Sequence, residues 1–144
     1  MATFTDNFTG ANGDLPDPLF WLLEDHYSDT DGRGDIQSNT LEQTALSGSA
    51  HREGVKSIFS LDGDFDITVD FELTGVPSGD GGGMTLEAFD DSDNNPRFMV
   101  SRRRENTGHL YDAARYTGSW VTIGTQSTSD TVGKLRLARV GNIM

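Results

Sequence analysis

The 144 residues contain no cysteine, and that absence removes disulfides, thiolate metal sites and a cysteine nucleophile together. Stability must then come from packing or from bound ions. Proline is scarce, at 4 residues, and no apolar run approaches the roughly 20 residues of a membrane-spanning helix. Residues 1–12 offer neither a basic n-region nor an apolar h-region, so no signal peptide is visible and the chain reads as soluble. It is expected either to be made without a leader, as cytoplasmic and viral proteins are, or to be a piece of something larger. Basic side chains are also few, 11 against 23 acids, for a formal charge of −12. Such a field repels nucleic acid and anionic lipid at long range, so neither is an expected partner.

What is present is short-range alternation. From Gly63 to Leu73, the apolar Phe65, Ile67, Val69, Phe71 and Leu73 alternate with Asp64, Asp66, Thr68, Asp70 and Glu72. Successive strand side chains point to opposite faces, so this is a half-buried β-strand whose apolar face needs a second layer. The 17 glycines punctuate further short β-rich segments at about ten-residue spacing, with no long helical period between them. The expected fold class is all-β, an antiparallel two-sheet sandwich in one domain over residues 1–144. Phe65, Ile67, Val69, Phe71, Leu86, Phe98, Val100, Leu135 and Leu137 are its expected core.

Taken in order, Thr3 to Phe8 reads as an edge strand, and Asp17-Pro18 as a cap starting one helical turn over Leu19 to Leu22, with Trp21 buried. Tyr27 to Asp35 is a loop whose Arg33-Gly34-Asp35 is too short a motif to carry a function. Ile36 and Leu41 flank a hairpin turn at Ser38-Asn39. Val55 to Leu61 is a strand with Val55, Phe59 and Leu61 inward, and Pro77 to Gly83 a connector without the ending of a phosphate-binding loop. Strands follow at Met84–Phe89, Arg97–Arg103, Leu110–Tyr116, Trp120–Ile123 and Lys134–Val140, and Gly141-Asn142 is a turn. Arg102-Arg103-Arg104, among so many acids, is expected to pair with carboxylates.

Phe4-Thr5-Asp6-Asn7-Phe8-Thr9-Gly10, the loop ending in Trp21, and Ile36-Gln37-Ser38-Asn39 leading to Leu41 are similar to the start of concanavalin A-like jelly-roll domains. Gly63-Asp64-Phe65-Asp66 and Gly133-Lys134-Leu135-Arg136-Leu137 resemble the middle of laminin-G-like modules. The resemblance implies a jelly-roll sandwich, of the kind found in glycan-binding modules, accessory parts of secreted hydrolases, and phage and other virion surface proteins. It also implies strands after Gly141 that are missing here. Either a longer protein supplies them, or a neighbouring subunit does so by adding strands to an open edge.

The glucanases that share this fold carry a Glu, Asp, Glu arrangement on one strand. Alternate strand residues lie about 6.6 Å apart, which suits paired-carboxylate chemistry. Asp66, Thr68, Asp70 and Glu72 do not match that arrangement, so the expectation is a non-catalytic structural or adhesive module of a virion or other extracellular surface. The alternative is a glycan-binding accessory domain, with Tyr111, Tyr116 and Trp120 stacking on sugars and Asp66 and Asp70 on a sugar-facing surface. No organic cofactor is expected. Calcium has two candidate loops of alternating oxygen ligands: Asp90, Asp91, Asp93 and Asn95, the denser, and Asp29, Asp31 and Asp35. The competing role for both is an Asp-rich turn capping backbone N–H groups. His26, His51 and His109 are scattered and form no recognisable triad or zinc pattern.

Overall fold

A computed structural model describes residues 3–25, 34–43, 53–75, 82–90, 95–105 and 108–141. Among these residues every regular element is a β-strand and every pairing is antiparallel, so the fold is the all-β class that the alternation requires. No helix is long and apolar enough to cross a membrane among the described residues. The chain divides into two compact units, Met1–Ser60 and Leu61–Met144.

In the first unit, β1 (Trp21–Asp25) pairs with a later strand, Glu53–Ser57. Between them, β2 (Gly34–Gln37) and β3 (Thr40–Gln43) form a hairpin; Glu53–Ser57 is therefore β4. The turn residues Ser38 and Asn39 both have positive φ, 54° and 59°, the two-residue geometry that matches strand twist. Ile36 is buried at 4% exposure. Its N–H and C=O bond to Asp14 O and Gly13 N, so the preceding glycine loop is tied to β2.

Three expectations are corrected here. Thr3 to Phe8 is not a strand, because Asp6 Oδ1 accepts the Phe8 N–H at 2.7 Å. That local bond draws the backbone out of a ladder, and Phe8 sits at φ 50°. Asp17 does cap a turn, accepting the Leu19 N–H on its side chain and the Phe20 and Trp21 N–H groups on its carbonyl. The turn ends there, and Trp21 and Leu22 begin β1; Trp21 is half-buried, among the rings of Phe4, Phe8 and Phe59. β4 stops at Ser57, so Phe59 leaves the strand to pack on Phe4 at 5.1 Å, and Leu61 is 42% exposed instead of inward.

In the second unit, β5 (Phe65–Glu72) pairs with β10 (Val132–Arg139), and a second sheet is a meander of β6 (Gly83–Asp90), β7 (Asn95–Glu105), β8 (Gly108–Tyr116) and β9 (Trp120–Ser127). The β5–β10 register sets Val69 opposite Leu135 and Ile67 opposite Leu137. Phe71, Leu135 and Leu137 are buried; Phe65, Ile67, Val69, Leu86, Phe98 and Val100 are half-buried. The Phe71 ring meets Tyr111 of β8 at 6.4 Å, which joins the two layers. Ala114, Ser101, Arg102 and Asp112 are buried as well, and three of those four are polar.

Gly133 faces Phe71 across the ladder, and a Cβ there would stand 2.9 Å from both Phe71 Cζ and Tyr111 Oη. The ring therefore lies where a side chain would. Gly133→Ala should cost about 1–3 kcal/mol, the usual range for overpacking, read as a lower urea midpoint at unchanged slope. Phe71→Leu in the same chain should recover part of that loss; equal losses with and without it would show that Phe71 is not the obstacle.

Candidate functional site

The acid row of β5 lies on the outward face, opposite a basic row on β10. Lys134 faces Asp70 directly in the ladder and pairs with it. Arg136 reaches diagonally to Asp66, donating from Nε to Oδ1 at 2.7 Å and from Nη2 to Oδ2 at 2.8 Å, the two-point match of guanidinium to carboxylate. Asp64 Oδ1 accepts the Gly141 N–H at 2.6 Å. The Arg136 hydrogen bonds hold the Asp66 carboxyl below its ordinary value of 3.8, and Asp66 holds Arg136 above its own. A general acid needs a carboxyl displaced upward; this one is displaced downward and engaged.

An NMR titration should find Asp66 below 3.8 and returning toward that value in Arg136→Gln. The sign follows from linkage: a depressed carboxyl stabilises the fold above its unfolded value, and that contribution is lost as pH falls through the lower folded value. An Asp66 midpoint unmoved by the substitution would remove Arg136 as the cause.

A second polar group lies on β7 and β8. Ser101 and Asp112 face each other in the ladder and are exposed by only 1% and 4%. Arg103 Nη2 pairs with Asp112 Oδ2 at 2.8 Å and with Glu105 Oε1 at 2.7 Å. The contact to Asp112 is an ion pair without hydrogen-bond alignment, and Ser101 Oγ and Asp112 Oδ1 have no hydrogen-bond partner. Arg102 points to the other face, toward the β5–β10 layer. Its Nε donates to Asp130 O at 2.8 Å and its Nη1 to Arg103 O at 3.3 Å, and it lies beside His109 Nδ1. Strand alternation thus puts Ser101 and His109 on opposite faces of the sheet. The arginine run divides accordingly, with Arg103 on carboxylates, as the surrounding acidity leads one to expect, and Arg102 on backbone carbonyls.

The three aromatic candidates separate. Tyr111 is half-buried between the layers, donating its hydroxyl to Asp130 Oδ2 at 3.2 Å; burial first, then that bond, raises its phenol above 10.0. Tyr116 and Trp120 are brought together. They face each other where β8 meets β9, with ring centroids 5.6 Å apart and the rings near perpendicular. Gly118, at φ 90°, allows the tight turn between them, and Trp120 is 42% exposed. Asp66 and Asp70 stand on the other sheet, so the five candidates do not form one site.

Of the calcium candidates, Asp91 and Asp93 lie outside the described residues, as do Asp29 and Asp31. Asp90 and Asn95 face each other as the last rung of β6 and β7, while Asp35 Oδ2 accepts the Gln37 amide N–H at 3.0 Å. One feature that sequence reasoning missed is a cleft in the first unit lined by Phe4, Asp6, Phe8, Asp17, Phe20 and Ile36 among others. Asp6 is already engaged there, accepting the Trp21 indole N–H at 2.6 Å. The Phe4, Asp6, Phe8 spacing was its one visible signal.

These features describe an antiparallel β-sandwich protein with an exposed aromatic hairpin and an acid row in which Asp66 and Asp70 are paired with cations. The family described as the C domain of a protein of unknown function (DUF1583) matches residues 37–144, and the chain belongs to it. That stretch begins at the end of β2 and contains the whole β5–β10 unit. No curated protein matches the chain, and no solved structure does.

Proposed function

We propose that this chain is a non-catalytic adhesive module of a larger assembly, and that it attaches to glycans through Tyr116 and Trp120. The observation that carries the reading is the aromatic pair itself: two rings held together across a tight hairpin, with Trp120 open to solvent. A ring fixed by strand pairing offers its apolar surface to a sugar with little ordering cost. The acid row supports the non-catalytic half of the proposal, because Asp66 and Asp70 are engaged by Arg136 and Lys134. The resemblance to concanavalin A-like domains supplies the setting, a virion or another extracellular surface.

The test is a glycan array probed with the protein displayed in many copies, followed by titration of any hit. Binding should be saturable and should weaken about tenfold or more in Trp120→Ala, a loss of about 1.4 kcal/mol or greater, in a variant with unchanged circular dichroism. Tyr116→Ala should weaken it less, since that ring supports Trp120. No glycan bound by the unaltered protein, or binding indifferent to Trp120→Ala, would rule the reading out.

A further inference from the structure

The chain carries charge along nearly all of its strands. Of the ten strands among the described residues, β9 alone contains no charged side chain, and the uncharged run extends from Thr117 to Ser129. β9 is also the outer strand of its sheet, with β8 on one side and, among the described residues, no strand on the other. All eight of its residues are exposed. Such an edge presents a row of unpaired N–H and C=O groups, and proteins ordinarily blunt it with charge, proline or a bulge. β9 has neither charge nor proline. Its bulge, opposite Ala113 and Ala114, leaves Ile123 without a partner on β8 and 60% exposed.

We propose that β9 is a self-association edge: two copies pair β9 with β9, antiparallel across a two-fold axis, and join two four-stranded sheets into one of eight. Antiparallel pairing of a strand with its own copy is self-complementary and closes at two subunits. The occupant is a second copy because of charge. Two chains of formal charge −12 repel across most of their surfaces, and the strand without carboxylates is where their backbones meet with no like charges opposite. With the strands overlapping along their whole length, Thr122 faces Thr125 of the second copy and Ile123 faces Gly124. Gly124 has open space where a Cβ would stand, so the exposed Ile123 side chain covers it. Threonine pairs and an aliphatic side chain over glycine are favourable neighbours across a ladder.

Sedimentation of the 144-residue chain from low to high micromolar concentration tests the proposal without any glycan. The mass should rise to twice that of the monomer. Thr122→Lys with Thr125→Lys sets lysines opposite lysines across the axis and should hold the mass at that of the monomer at every concentration, with circular dichroism unchanged. Thr122→Glu with Thr125→Lys sets opposite charges face to face and should restore the doubled mass. Amide exchange on the unaltered protein reads the same edge without substitution: β9 amides should exchange more slowly as concentration rises. A monomer throughout, a dimer indifferent to the paired lysines, or β9 exchange independent of concentration would overturn the proposal.

Discussion

The register between β5 and β10 is the constraint on which the second unit depends. One alignment sets Ile67 and Val69 against Leu137 and Leu135 on the inner face and Asp70 against Lys134 on the outer face. Side chains alternate with a period of two, so a slip of one residue would turn Lys134 and Arg136 into the core and expose both leucines. Hydrophobic burial and charge pairing therefore select the same alignment. Neither exposed ion pair need contribute much to stability for this to hold, because the cost of the wrong register falls on burying unpaired cations.

The four-stranded sheet is built differently, since its buried residues are largely polar. Arg102 is almost wholly enclosed, and its guanidinium is met by the carbonyls of Asp130 and Arg103. The bond to Asp130 ties β7 to the segment that leads into β10, and Tyr111 reaches the same Asp130 through its carboxylate. One short segment thus collects two side chains from the meander. A guanidinium that loses water there must be repaid by well-placed acceptors, which makes the position specific to arginine.

Charge is distributed so as to leave one surface of distinct chemistry. On the outward face of β5, Asp66 and Asp70 are matched by Arg136 and Lys134 of β10, and between β7 and β8 the buried Asp112 is paired with the half-buried Arg103. The turn between β8 and β9, and β9 itself, carry no charged side chain and are exposed and partly apolar. In a chain of formal charge −12, this is the surface that approaches another molecule at the smallest electrostatic cost.

The acid row and the aromatic residues were visible in the sequence, but their engagement was not. Tyr111, Tyr116 and Trp120 look alike as exposed aromatics of β-rich segments; alternation on β8 sends Tyr111 toward Phe71, and the hairpin joins the other two. The sequence by itself determined the strand character of 65–72, the turn at Ser38-Asn39 and the inward pair Leu135 and Leu137, because period-two alternation and turn chemistry act over a few neighbouring residues. The tertiary structure alone decided that Arg136 would hold Asp66 from 70 positions away, that Arg102 would be enclosed, and that β9 would lie at an edge. Those outcomes depend on which strands become neighbours, and local spacing cannot encode that choice because the contacts that reward it lie far apart along the chain.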